Sequence, residues 1–358
     1  MKHLRTFFKR FLLLLFIFVL IGIGILFGTN YGHELRITAA GSILTSQHPQ
    51  YAKYTFLSQS EMDKLIDSIN NPKWSNSVEG IYKKIAEKKL KELKNQPLKI
   101  DVETINSDEN SRFHFKGKLV TISNPFNVKI VTHKGTQGKD KGEKISVMAK
   151  RNDALFAVNA SGFSDETGRG GGKIATGIVI EDGKIIDTNH DKDTPTIITG
   201  LTKFGQMITG NYSASQLLEK QVVSAAGFIP QLIVNGEKMI TKGDGGWGSG
   251  PRSIMAQKKD GTIMFLVIDG RQTHSIGATL KECQDILYEK GAVNAMAMDG
   301  GSSATLYFGG KVRNSPSTLS HQDRFLPNAW VVAPNPKQTV EIKIDGKIID
   351  LSSLKDLK

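Results

Sequence analysis

A single cysteine, Cys283, stands in 358 residues, so the chain cannot form an intramolecular disulfide. No cysteine closely follows the N-terminal apolar run, which excludes a bacterial lipoprotein anchor. The eight histidines are scattered without a His-Glu-x-x-His or paired spacing. No metal site and no cofactor is therefore expected, and the sequence is silent on a divalent-metal requirement. The Gly-x-Ser-x-Gly frame of a serine hydrolase is also missing, since neither Gly248-Ser249-Gly250 nor Gly300-Gly301-Ser302-Ser303 fits it. No repeat of fixed period is present. Nucleic-acid-binding motifs are absent too, although the net charge is +12 and the pI about 9.5. The lysines are dispersed singly along hairpins and helices. They suit anionic envelope polymers, lipid headgroups or plain solvation, and no nucleic-acid partner is expected.

Charge is missing altogether from residues 11–27, which follow Lys2, Arg5, Lys9 and Arg10. Seventeen apolar residues are at the short end for a spanning helix and longer than an ordinary signal-peptide core. Residues Gly28–His33 offer no clean small-x-small cleavage site. An uncleaved signal-anchor with the N-terminus inside follows from the positive-inside rule, with a cleaved signal peptide as the alternative. Both readings place the remainder outside the cytoplasm. The expected organisation is a tip and anchor over 1–30, a helical spacer over 31–96, a catalytic domain over 97–335 and a β-hairpin tail over 336–358. The spacer is read from Ser60-Glu61-Met62-Asp63, a capping-type start, and from Ile81, Ile85, Leu90 and Leu93 on one side of 78–94. An oligomerisation segment is the other reading of that stretch.

Beyond Pro97 strand-like alternation takes over, at 99–105, 113–122 and 126–131. Hairpin turns recur at Asp182-Gly183, Asn235-Gly236, Asp260-Gly261, Gly309-Gly310 and Asp345-Gly346, because type I′ turns need two residues with positive φ. Helices are few, near 145–151, 213–221 and 279–290. The fold class is α+β: a mixed β-sheet core with packed helices and many hairpins, behind the N-terminal helix and spacer.

Two apolar strands in this region end at an aspartate followed by glycine. Met264–Ile268 runs into Asp269-Gly270-Arg271, and Val293–Met298 into Asp299-Gly300-Gly301-Ser302-Ser303. Between them lies a helical stretch ended by Gly291. A strand, a crossover helix and a second strand make parallel neighbours whose carboxyl ends share an edge, where ligands collect. Asp269 and Asp299 are thus expected to converge with Arg252, which leaves the turn Gly250-Pro251 and offers a two-pronged fork for phosphate. Arg271 is a second candidate cation. His274 is a candidate acid or phosphate ligand, or a structural histidine. Asn159 ends a strand before a glycine-rich loop (Gly168, Gly170, Gly171, Gly172), as a ligand of sugar amide or hydroxyl groups or as a turn-stabilising residue. Glycines 300 and 301 with Ser302 and Ser303 are candidate substrate contacts, and a plain β-turn is the alternative. Glu282, in the first turn of the 279–290 helix, suits either a cap or a catalytic carboxylate. Cys283 beside it reads as a small core residue.

The order Asn159-Ala160-Ser161-Gly162-Phe163, Gly250–Ser253, Asp269–Arg271, Glu282, Asp299–Ser303 and Asn328-Ala329-Trp330 resembles the phosphodiester glycosidase family, from about Asp101 to Pro334. One departure is Ser302, where many family members carry a third glycine. The resemblance implies hydrolysis of a sugar-1-phosphodiester, with N-acetylglucosamine as the suggested sugar, in envelope or exported polysaccharide. It implies a catalytic set of Asp269, Asp299 and Glu282, and substrate contacts from Asn159, Arg252, Arg271, His274 and the 300–303 turn. A non-catalytic polysaccharide-binding protein is the rival, favoured by Trp247, Tyr307 and Trp330 as sugar-stacking aromatics.

Overall fold

A computed structural model describes residues 2–78, 87–135, 141–164, 171–186, 188, 190–351 and 354. Two compact units emerge, Met1–Asn70 with Gly246–Gly248, and Asn71–Gly245 with Ser249–Lys358.

In the first unit the apolar run belongs to a helix, Lys2–Gly28, that is longer than the run itself. Its segment Leu4–Gly28, of 25 residues, contains an 18-residue stretch of mean hydropathy 3.1 and is long and apolar enough to cross a membrane. At about 1.5 Å per residue it measures roughly 38 Å. The basic N-terminal tip joins the helix because lysine and arginine are themselves good helix formers. Thr29 separates this helix from the next, Asn30–Leu44: its hydroxyl donates to the Ile25 carbonyl at 2.7 Å and accepts from Gly32 N at 3.0 Å. A third helix, Gln59–Asn70, starts two residues earlier than expected. Ser58, not Ser60, forms its reciprocal cap with Glu61, and the two Ser58 bonds pull the Glu61 carboxyl below its usual range.

The expected spacer is not one element. Residues 71–78 belong to the second unit, where Ser77 N donates to the Thr209 carbonyl at 2.8 Å and Ser75 N to Gln231 Oε1 at 2.8 Å. Leu90 and Leu93 lie on a short helix, Glu87–Lys94, while Ile81 and Ile85 fall outside the described residues.

The second unit is built on a nine-stranded sheet. Its order is Glu237–Lys238, Gln231–Val234, Ala292–Met298, Arg252–Lys258, Ile263–Ile268, Lys116–Ile122, Leu98–Asn106, Val340–Ile344 and Lys347–Ile349. The central strands are buried along nearly their whole length, whereas Leu98–Asn106 near the edge alternates. Both faces of the centre are covered, hence the unbroken apolar runs. On one face lies helix Leu280–Glu289, which buries Leu280, Cys283 and Leu287. On the other lies a five-stranded sheet containing Leu306–Phe308, Phe156–Asn159, Asn328–Val332 and Val128–Thr132. The two sheets share one core, with the Phe156 and Phe265 rings stacked at 5.5 Å between centroids. Helix Ile145–Lys150 closes the outer face of the smaller sheet. A third, antiparallel sheet of five strands carries helix Ala214–Glu219. Sheets and helices in these proportions make the α+β class.

All five anticipated dipeptides occupy hairpin turns. Four place both residues at positive φ, as at Asn235 (54°) and Gly236 (84°). At Asp260-Gly261 the glycine alone does, at 94°. The hairpin of 340–349 is no detached tail: Val340–Ile344 pairs parallel with Leu98–Asn106, so the sheet continues through the expected boundary at 336.

The relation between the two aspartate-bearing strands needs a correction. Ile263–Ile268 and Ala292–Met298 run parallel but are not neighbours. Arg252–Lys258 lies between them, antiparallel to both. Because 263–268 is flanked by 252–258 on one side and 116–122 on the other, the strand after the helix joins the far edge of 252–258. The consequence for the site is favourable: the start of the middle strand meets the ends of the outer two.

Candidate active site

The strand register brings three polar segments to one sheet edge. Arg252 pairs with Ile268, just before Asp269, and Ser253 pairs with Met298, just before Asp299. With strands about 4.8 Å apart, the two outer strand ends lie roughly 10 Å from each other. The Gly250-Pro251 segment threads between their loops with almost no clearance. A Cβ on Gly270 would stand 2.5 Å from Pro251 N, and one on Gly300 2.8 Å from Pro251 O. Gly277, at φ 117°, is likewise pressed on Gly250. The glycine after each aspartate thus allows the chain to approach itself closely.

Asp269 is held firmly. Oδ1 accepts from Ser315 N at 2.9 Å and Asn314 Nδ2 at 3.1 Å, and Oδ2 lies 3.3 Å from His274 Nε2. His274 is open to solvent while Asp269 is largely buried. A buried, oriented carboxylate behind an exposed imidazole can fix the ring and support proton transfer by it. The loop between them is tight. Arg271 adopts φ 59°, in the left-handed region, and its N–H donates to the Ile276 carbonyl at 2.9 Å.

At the other strand end, Asp299 N donates to the Ala160 carbonyl at 3.1 Å, and Asn159 Nδ2 donates to the Asp299 carbonyl. Arg271 reaches this side. A Cβ on Gly301 would lie 3.2 Å from its Nη1, and the Asp299 carboxylate counteracts the desolvation that lowers the Arg271 pKa. Arg271 therefore couples the two aspartate turns.

Several expected ligands are spoken for. Asn159 is buried, and its Oδ1 accepts from Ser253 Oγ at 2.7 Å and Thr305 N at 3.2 Å, so it fastens the site rather than lining it. Arg252, expected as the phosphate clamp, is buried, with Nε donating to the Ala278 carbonyl at 3.0 Å. Burial brings its pKa down to about 10, still leaving it charged at neutral pH, and it braces the Gly250 segment against Ala278. Glu282 is a capping residue: Oε2 accepts from Thr279 N at 2.7 Å and Thr279 Oγ1 at 2.8 Å, and Oε1 from Arg112 N at 3.2 Å. Ser303 is buried, and the Gly301 N–H donates to the Pro251 carbonyl at 3.0 Å. Ser302 stays partly exposed and accepts from Arg324 Nη1 at 2.8 Å. The aromatic argument for simple polysaccharide binding weakens, since Trp330 and Tyr307 are core residues. Of the glycine-rich loop after Asn159, Gly168 and Gly170 lie outside the described residues. Among the described residues, no group of three or more His, Cys, Asp or Glu could hold a metal ion.

Four contributors escaped the sequence reading: Asn314, Ser315, Gln272 and Arg324. Gln272 and Ser315 exchange two hydrogen bonds, at 2.6 and 2.7 Å, that lock the 313–316 turn onto the Asp269 loop. The polar string Asn314-Ser315-Pro316 after a Gly-Gly hairpin was a usable signal. Arg324 offered none.

The chain belongs to the phosphodiester glycosidase family, whose sequence model matches residues 152–333. Among its relatives is the SPbeta prophage-derived uncharacterized protein YomE of Bacillus subtilis, 30% identical over 189 residues, covering 50% of this chain and 28% of that one. N-acetylglucosamine-1-phosphodiester alpha-N-acetylglucosaminidase of Mus musculus is 24% identical over 242 residues, covering 61% of this chain and 44% of that one. The chain thus spans less than half the length of these relatives. The zebrafish catalytic domain of the latter enzyme has the same fold, with a TM-score of 0.56 at 22% identity over 66% of this chain and 84% of the other.

Proposed function

We propose that the chain is a membrane-anchored hydrolase that cleaves a sugar-1-phosphodiester, with its second unit outside the cytoplasm and its substrate in envelope or exported polysaccharide. The observation that carries this reading is the meeting of Asp269 and Asp299 at one sheet edge, coupled by Arg271. Breaking the C1–O bond of such a diester requires a carboxylate near C1, cations for the phosphate and a route for one proton. Asp299 supplies the carboxylate and Arg271 a guanidinium beside it. His274, steadied by Asp269, moves the proton. Phosphate is already a good leaving group, so the proton matters more for activating water than for expelling phosphate. Support for the anchor comes from the exposed 25-residue apolar segment near the N-terminus.

The test is hydrolysis by the purified full chain in detergent, with UDP-N-acetylglucosamine and other glycosyl phosphodiesters. Release of free sugar is expected. Retention of polysaccharide without hydrolysis of any of these compounds would overturn the assignment in favour of a binding protein.

A further inference from the structure

Asn314 commits its whole amide to the two aspartate turns. Nδ2 donates to Asp269 Oδ1 at 3.1 Å and to the Ala304 carbonyl at 2.9 Å, and Oδ1 accepts from Leu306 N at 2.7 Å. A backbone N–H can be met only by the amide oxygen, so the Leu306 bond settles which way the amide faces. Resting on the reading of this site as a phosphodiester hydrolase, we propose that Asn314 is a positioning residue for the Asp269–His274 pair. It holds the Asp269 carboxylate so that Oδ2 faces His274 Nε2, and His274 thereby offers Nδ1 to the proton of the attacking water.

Asp269 Oδ1 has two donors from consecutive residues, the Asn314 amide and Ser315 N at 2.9 Å. A carboxylate gripped at one oxygen by both cannot turn about its Cβ–Cγ bond without losing them. Oδ2 is left for His274 Nε2, at 3.3 Å. A carboxylate only accepts, so in the neutral ring Nε2 carries the proton and Nδ1 keeps its lone pair. Among the described residues the ring makes no other hydrogen bond, and at 40% exposure it is open to water and substrate. The backbone on either side is held too. His114 Nε2 lies 2.9 Å from the Thr273 carbonyl, and Ser275 Oγ donates to the Asp269 carbonyl at 2.7 Å.

The other two bonds of Asn314 say what the pair is aligned with. Ala304 and Leu306 follow directly on the Asp299–Ser303 turn, and Thr305 N between them donates to Asn159 Oδ1. Asn159 Nδ2 in turn holds the Asp299 carbonyl. Two asparagines thus grip one three-residue stretch, one fastening Asp299 and the other Asp269. An asparagine that merely closes a turn bonds a close neighbour, as Asn124 does with Phe126 N, two residues on. The Asn314 side chain bonds nothing nearer than Leu306, eight residues away. In the step this frame serves, the water oxygen bonds to C1 and the C1–O electron pair leaves with the phosphate. The water proton goes to Nδ1, and Asp269 stabilises the imidazolium that forms.

The full chain in detergent, labelled with 15N at histidine, gives two readouts. One is the tautomer of His274 by NMR, its signals assigned with His274→Gln. The other is the kinetics of UDP-N-acetylglucosamine hydrolysis across pH. The parent is expected to show the Nε2–H form. Asn314→Ala should mix the tautomers and lower kcat by about tenfold to a hundredfold while KM stays within about threefold, as expected for a misplaced reacting group. Its pH–rate profile should change as that of Asp269→Asn does, and Asp269→Asn should add little once Asn314 is alanine. Gln272→Ala loosens the 313–316 turn without touching Asn314 and should show the same pattern more weakly. It carries the test if thermal unfolding shows that Asn314→Ala does not fold. An unchanged tautomer and pH–rate profile, a loss confined to KM, additive losses in the double variant, or a parent in the Nδ1–H form would each overturn the proposal. A parent that hydrolyses no glycosyl phosphodiester, but whose Nε2–H tautomer depends on Asn314, would instead sink the hydrolase reading and leave the positioning of His274 standing.

Discussion

Asn159 Nδ2 donates to the main-chain carbonyl of Asp299 at 2.5 Å, across the boundary between the two packed sheets. The same side chain accepts from Ser253 and from Thr305 N. One buried amide therefore ties the start of the middle strand, the end of the outer strand and the segment beyond the substrate turn. Asn159→Asp would replace its donor with an acceptor facing a carbonyl, which is why this site depends on an amide rather than an acid.

The two strand-end carboxylates should differ in how they fail. Asp299→Asn is expected to fold normally and lose roughly a thousandfold or more in kcat. Asp269→Asn should lose less and should alter the pH–rate profile, since it acts through His274. Steady-state kinetics across pH on both variants decides this. Full activity in both would remove the edge from consideration as the catalytic centre.

Arg252→Lys should chiefly cost stability. The shorter, more strongly hydrated ammonium cannot keep the bond from Nε to Ala278 O within a buried slot, and a loss of about 2–4 kcal/mol is expected in denaturant unfolding. A variant with parental stability but a strongly raised KM would return Arg252 to the substrate.

Gly300→Ala puts a methyl group 2.8 Å from the Pro251 carbonyl oxygen. Overpacking of this kind costs about 1–3 kcal/mol, and relief requires the Pro251 segment to move away from both aspartates. Lower Tm and lower kcat should appear together. Gly310→Ala provides the contrast, because nothing lies within 4 Å of a Cβ there and only its φ of 90° makes the substitution costly.

Glu282 offers a clean separation of cap from catalyst. Glutamine completes a capping box as glutamate does, so Glu282→Gln should keep activity within a few-fold, whereas Glu282→Ala should lose about 1 kcal/mol of stability. A loss of several orders of magnitude in the glutamine variant would make Glu282 a reacting group after all.

Cys283 is fully buried, and desolvation pushes its thiol pKa up to about 12. The native protein should resist thiol-specific reagents at pH 8 and react stoichiometrically once unfolded. Rapid labelling of the native form would mean that the helix carrying it opens readily.

Much of this architecture was legible from local chemistry. The Asp-Gly and Asn-Gly turns, the capped helix before Gly291 and the buried apolar strands all depend on residues close in sequence, so pattern alone locates them. The placement of Arg252–Lys258 between the aspartate strands was not legible, because strand order is decided by long-range pairing and not by any local signal. Site roles are harder to read for a related reason. Arg252, Glu282 and Asn159 are the residue types that bind ligands, but the same donors and acceptors satisfy buried backbone, and only the folded neighbourhood says which demand comes first. Arg324 lay outside any motif, and its partner Ser302 is distant in the chain.

The parallel pairing of Val340–Ile344 with Leu98–Asn106 has a bearing on how the protein is made. The strand that opens the second unit's sheet must wait for one that emerges more than two hundred residues later. At synthesis rates of about 5–20 residues per second, that is a delay of roughly 10–50 seconds with an unfilled edge. During that interval the early strand is a template for wrong partners, so a nascent chain would gain from being kept extended until its last strands arrive. Threading through a membrane pore before folding would meet that need.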